Sequence, residues 1–171
     1  MAHHISYSKN VDLSAPTIWN VLNDFGGLEK FAPTVKSSPI VGDKETGVGA
    51  KRRVTIHHDG SSMVEEIIKY NDGQGYVMTV SELSSPLKSM QAEMKVDGID
   101  ERSSTIKMSA DITVKGGPFG WLMGKFLIGP MMKGVFKKIV AGLAYHAATG
   151  NTIDAELPDE AELESAIGRL T

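Results

Sequence analysis

The sequence predicts an α+β domain: one antiparallel sheet of seven strands, with two short helices after the first strand and a long helix at the C-terminal end. Three observations predict it. Turn signals recur at hairpin spacing from Val35 to Val114, apolar residues alternate along the segments between them, and from Phe119 to Ala148 the apolar period becomes that of a helix.

Ile5 to Val11 reads as the first strand. Ser14-Ala15-Pro16 then supplies an N-cap residue and a proline suited to a first helical turn, and Trp19, Val21 and Leu22 follow at helical spacing. Asn23-Asp24-Phe25-Gly26-Gly27 interrupts that helix, and Leu28 to Phe31 has room for one more short helix before Pro33. Six strands are expected next: Val35–Val41, Ala50–His57, Met63–Tyr70, Tyr76–Leu83, Leu87–Val96 and Thr105–Val114. The turns between them carry Gly42-Asp43, Asp59-Gly60, Asn71-Asp72-Gly73, Ser84-Ser85-Pro86 and Asp97-Gly98, short enough to make consecutive strands antiparallel neighbours.

On the clearest strands one face is apolar, with Met90, Ala92, Met94 and Val96 on one and Ile106, Met108, Ala110, Ile112 and Val114 on the next. In the long helix Phe119, Met123, Phe126 and Leu127, then Val135, Phe136, Ile139, Val140 and Leu143, form the apolar stripe. Pro130 lacks a backbone donor and its ring crowds the carbonyl of Phe126, so a kink or break is expected at Gly129-Pro130. Gly150 is a suitable stop. The domain is expected to cover residues 1–150. The acidic tail, 151–171, has Leu157, Leu163, Ala166, Ile167 and Leu170 at a spacing that admits a short amphipathic helix.

A net charge of −3 with a pI of about 5.9 offers no basic field for nucleic acid. The absence of cysteine excludes disulfides, thiolate metal sites and a cysteine nucleophile, and suits a reducing compartment. Residues 1–9 lack the order of a signal peptide, and no apolar run is long enough to span a bilayer. The expectation is a cytoplasmic protein without stable membrane insertion.

Strand, two short helices, six antiparallel strands and a long helix is the order of the START-like (SRPBCC) superfamily, which includes birch-pollen-allergen-like proteins, plant abscisic acid receptors and polyketide cyclases. Locally, Leu13-Ser14-Ala15-Pro16 with Ile18-Trp19 resembles the family's opening. Gly47-Val48-Gly49-Ala50 with Arg52-Arg53 is similar to its third strand, and Gly117-Pro118 to the helix entry of polyketide-cyclase-type members. The resemblance implies the helix-grip fold, a curved sheet enclosing a cavity against the long helix, and a small apolar molecule as partner. Functions differ widely within the superfamily, from lipid, hormone and quinone binding to cyclisation of poly-β-keto chains.

Met63, Met78, Met90, Met94, Met108, Met123, Met131 and Met132 lie in the expected sheet or long helix. Methionine adapts to irregular shapes, so these are candidates for lining a ligand cavity, with ordinary core filling as the alternative. Phe119 and Leu127 join them as candidates on the helix. Arg52 shares a strand face with Val54 and Ile56, and either Arg52 or Arg53 should point inward; an inward arginine would hold a ligand carboxylate or enolate.

Glu65 shares a face with Met63 and Ile67, and once inside it needs a partner or a proton. Glu65 and Glu66 straddle the sheet, so a register slip exchanges them. Alignment with the abscisic acid receptors matches Lys36 to their ligand-facing lysine and Glu65 to their pocket glutamate, which implies a Lys36–Glu65 pair facing the ligand. Adjacent histidines at His3-His4 and His57-His58 point to opposite faces of a strand, and His146 is alone, so no metal site and no cofactor is expected. The lysines of the long helix (Lys125, Lys133, Lys137, Lys138) beside Trp121, Phe126 and Leu127 are read as a solvated face, with an acidic membrane surface as the alternative.

Three readings follow. The favoured one is binding or carriage of a small hydrophobic or amphipathic molecule. The second is a polyketide cyclase/dehydratase-like enzyme in which Arg52, Glu65 and Tyr76 orient the substrate and move protons. The third is an interaction protein whose tail, Asp154 to Leu170, docks a partner or a second copy. Oligomeric state is not legible.

Overall fold

The computed structural model describes residues 2–168. Seven strands form one curled antiparallel sheet: β1 (His3–Val11), β2 (Val35–Ser37), β3 (Lys51–Ile56), β4 (Ser62–Asn71), β5 (Gly75–Ser81), β6 (Leu87–Gly98) and β7 (Ser104–Val114), in the order β1-β7-β6-β5-β4-β3-β2. Helix α1 (Ala15–Leu22) and a 3-10 helix (Phe25–Lys30) follow β1. Ser14 caps α1, its hydroxyl accepting the Thr17 N–H, and Pro16 occupies the first turn.

The long helix runs unbroken for 33 residues, as α2 (Gly117–Met123), a π-helical segment (Gly124–Ile128) and α3 (Gly129–Thr149). The break expected at Gly129-Pro130 is therefore absent. The chain accommodates Pro130 by widening the preceding turn: Gly129 N–H donates to Gly124 C=O, five residues back, and Met123, Ile128 and Gly129 keep right-handed helical angles. Gly150 ends α3 in the left-handed conformation, and the Asp159 side chain caps α4 (Glu160–Ile167) by accepting the Glu162 N–H. Leu163 packs with Tyr145 and Ile153 against α3, and the Tyr145 hydroxyl donates to Glu162. Leu170 lies outside the described residues.

The strand alternation holds. Ala92, Met94, Val96, Ile106, Met108, Ala110, Ile112 and Val114 are buried on the concave face, where α3 contributes Phe136, Ile139, Val140, Leu143 and Ala144. The expected strand Val35–Val41 shrinks to Val35–Ser37, after which Ile40 makes only an isolated bridge to Arg52. This sheet gripping one long helix is the helix-grip arrangement.

At the centre of the grip α3 meets the 3-10 helix so closely that a Cβ on Gly142 would stand 2.0 Å from the Phe31 carbonyl oxygen. A helical glycine ordinarily costs about 1 kcal/mol relative to alanine. Here the sign reverses: Gly142→Ala should destabilise the protein by roughly 1–3 kcal/mol through overpacking, read from the midpoint of urea unfolding at constant slope.

Candidate functional site

The pairing register sets residues of different strands side by side in rows across the concave face. One row runs from His3 on β1 through Ile112, Met90, Val80 and Glu65 to Arg52 on β3. The next, towards the centre, contains Ile5, Ala110, Ala92, Met78 and Ile67, and a third contains Tyr7, Met108, Met94 and Tyr76. Above the first row, Leu87 pairs with Val114 and Met63 with Val54, at the end of the sheet from which the chain enters α2.

Packing changes along these rows. Met78, Met94, Met108, Val54 and Tyr76 are buried, and Phe136 and Leu143 fill the space opposite. Met78 and Met94 are almost wholly buried, so the centre of the grip is filled by side chains. Towards the α2 end Ile56, Met63, Leu87, Met90, Met123 and Met132 are only half-buried, so solvent reaches the seam between sheet and helix there.

Arg52 lies at the β3 end of the first row and is almost wholly buried. Its Nε and one terminal nitrogen donate to a Glu65 carboxylate oxygen at 2.6 Å each. Its other terminal nitrogen donates to the Phe25 carbonyl at 2.7 Å, and the guanidinium carbon stands 4.1 Å from the centre of the Phe25 ring. Burial alone would lower the Arg52 pKa, but Glu65 and, after it, Tyr76 together more than offset this, and the net direction is upward. The cation is permanent. Tyr76 stacks edge-on against Phe25, and burial raises its phenol although Arg52 opposes the shift. It is an O–H donor and not a base at neutral pH.

Glu65 thus points inward with Met63 and Ile67, as the register argument expects, but its partner is Arg52. Lys36 is exposed: β2 turns Val35 inward and its successor to solvent. The Lys36–Glu65 pair is corrected accordingly. Arg53 faces out and bridges Glu82 at 2.6 Å, and Glu66 lies near Lys51. Phe119 and Leu127 also fail as interior residues, both being exposed.

The helix instead turns Gly120, Gly124 and Ile128 to the sheet. A Cβ on Gly124 would fall 2.6 Å from the His3 ring, which itself stacks on Trp121. Small residues spaced four apart were the missed signal for the buried side. Phe25, whose carbonyl and ring hold Arg52, was missed as well, and nothing in the sequence marks a main-chain acceptor in a 3-10 helix. Among the described residues no three His, Asp or Glu side chains gather as metal ligands, and no helix is long and apolar enough to cross a membrane.

A family model described as polyketide cyclase / dehydrase and lipid transport matches residues 2–148. No curated protein matches the chain. Among solved structures, the chain is similar to the Zhui aromatase/cyclase from Streptomyces sp. R1128, with 15% identity, 97% of this chain and 94% of that one covered and a TM-score of 0.60. A START superfamily protein from Mycobacterium smegmatis gives 19%, 86% and 95%, with a TM-score of 0.60. A protein from Thermobifida fusca gives 21%, 85% and 93%, with a TM-score of 0.68. At these identities the likeness is one of fold.

Removing one member of the buried pair leaves an uncompensated charge. Arg52→Met should cost roughly 3–5 kcal/mol, whereas Arg52→Met with Glu65→Leu should cost far less than the two single changes added together. Lys36→Ala should stay within about 0.5 kcal/mol of the original protein. Urea unfolding of the four variants checks all three statements.

Proposed function

The chain belongs to the polyketide cyclase / dehydrase and lipid transport family, and from that premise we propose that it binds a small hydrophobic or amphipathic molecule in the seam between the sheet and the long helix. The observation that carries this reading is the contrast in packing: a filled centre, and a half-buried end lined by Met63, Leu87, Met90, Met123 and Met132. Methionine has three rotatable bonds and a polarizable sulfur, so such a lining rearranges around a guest at small cost. Val54 and Ile56 border it on β3, and Met78, Met94 and Met108 form the floor beneath. Phe119 and Leu127 are exposed on the outer side of the helix and lie outside this lining.

A guest that buries about 500 Å² of apolar surface gains about 12–13 kcal/mol, from which an immobilisation cost of about 4 kcal/mol or more is subtracted. Affinity in the micromolar range follows for a ligand of modest size. The polar end of an amphipathic ligand would lie towards Glu65 and Arg52, which occupy the same row as Met90 with Val80 between.

The cyclase-like alternative draws support from the meeting of Arg52, Glu65 and Tyr76 around Phe25. A permanent cation beside a protonated phenol suits stabilisation of an enolate. Both readings use one site and differ in whether the ligand leaves chemically changed.

The test is titration with an environment-sensitive apolar dye, together with native mass spectrometry of the purified protein and solvent extraction of what co-purifies. Binding at one site in the micromolar range is expected. Met90→Trp, which fills the seam, should weaken binding about tenfold or more, a loss of about 1.4 kcal/mol. A folded protein that leaves the dye free, or a Met90→Trp variant that binds it equally well, overturns the proposal. Recovery of an added poly-β-keto compound less one water would favour the enzyme.

A further inference from the structure

The exposed residues of the long helix include large apolar side chains. Phe119, Phe126, Leu127 and Met131 are 75%, 62%, 67% and 61% exposed, and Leu122 is exposed beside them. A solvated face carries polar residues, so these five contradict that reading of the helix. We infer that this face of the helix, from Gly117 to Met132, docks on the surface of an anionic lipid bilayer.

The π-helical segment gives the face its unity. At about 100° per residue, an uninterrupted α-helix would place Leu127 and Met131 about 80° and 120° round from Phe119. The wider turn sets everything after it back by roughly one residue, which brings both to the side of Phe119, Leu122 and Phe126. The opposite side, with Gly120, Gly124 and Ile128, is fixed against β1 and β7, so the apolar residues stay outward.

Charge identifies the occupant. The whole chain has a net charge of −3, yet between Asp111 and Asp154 it carries five lysines (Lys115, Lys125, Lys133, Lys137 and Lys138) and no Asp or Glu. Lys125 Nζ stands 5.3 Å from the centres of both the Trp121 and Phe126 rings, an aromatic and cationic cluster suited to a lipid headgroup layer. An open groove alongside is lined by Lys88, Lys115, Gly117, Pro118, Trp121 and Leu122, adding cations at the rim of the apolar patch. Apolar residues flanked by lysines match a surface that is oily beneath and negative on top. A second copy of this acidic chain would satisfy the apolar part only by bringing lysine face against lysine face.

The inference stands apart from the ligand reading, because the face is the same whether the seam is empty or filled. The experiment is co-sedimentation of the full chain with vesicles of equimolar phosphatidylcholine and phosphatidylglycerol, and with pure phosphatidylcholine vesicles. Binding to the first and not the second is expected, weakening as salt is raised. Phe126→Ala with Leu127→Ala, and separately Lys125→Glu with Lys133→Glu, should each weaken it about tenfold or more. All four residues are exposed, so thermal unfolding of these variants should match the original protein. Binding that ignores lipid charge, variants that bind unchanged, or no binding at all overturns the inference. So does a dimer in gel filtration that Phe126→Ala with Leu127→Ala converts to monomer, since a second copy would then own the face.

Discussion

Arg52 and Glu65 are sealed together on the concave side of the sheet, and neither tolerates that place without the other. Much of the architecture follows from satisfying them. Their contact requires the β3–β4 register in which the two residues stand opposite one another. The remaining guanidinium donor requires a main-chain acceptor, so the 3-10 helix must bring the Phe25 carbonyl over the end of the sheet. Phe25 in turn lays its ring against Arg52 and Tyr76, which joins the short helices to β3 and β5. A buried ion pair contributes little net stability relative to apolar residues of the same shape, and its best-attested use is to select one register over others.

Away from that pair the domain divides into a dense and a loose part. At the dense end glycine lets backbones touch, as Gly142 does against Phe31, and flat apolar rows fill the grip. At the loose end the helix contains a π turn, methionines are half-covered, and large apolar side chains look outward.

The strand alternation made most of this legible. A period of two groups Met94 and Met108 with the apolar side of their strands and Glu65 with Met63 and Ile67, and all three of Met94, Met108 and Glu65 are buried. Partner choice was harder, because it depends on turn length. A two-residue turn at Asp59-Gly60 would set Arg52 opposite Ile67. The observed turn runs from His57 to Gly60, with the Ile56 N–H donating to the Ser61 carbonyl, and shifts the partner to Glu65 without changing its face. Lys36 was misplaced because a likeness to distant receptors outweighed the local alternation beginning at Val35. The helix departs from its pattern for another reason: a period of 3.6 does not run through a stretch that holds a π turn, and glycines, not the large apolar residues, make the contact with the sheet.

The partnership of β1 with β7 also sets an order in time. His3 to Val11 finds its hydrogen-bonding partners only in Ser104 to Ile112, about a hundred residues later in the chain. Strands β3 to β7 are joined by short turns and can zip locally, whereas β1 must wait for the last of them and then close the longest loop in the sheet. During synthesis the first strand and the helices after it leave the ribosome with no sheet to join. The long helix, made after all seven strands, covers a surface completed only moments before it.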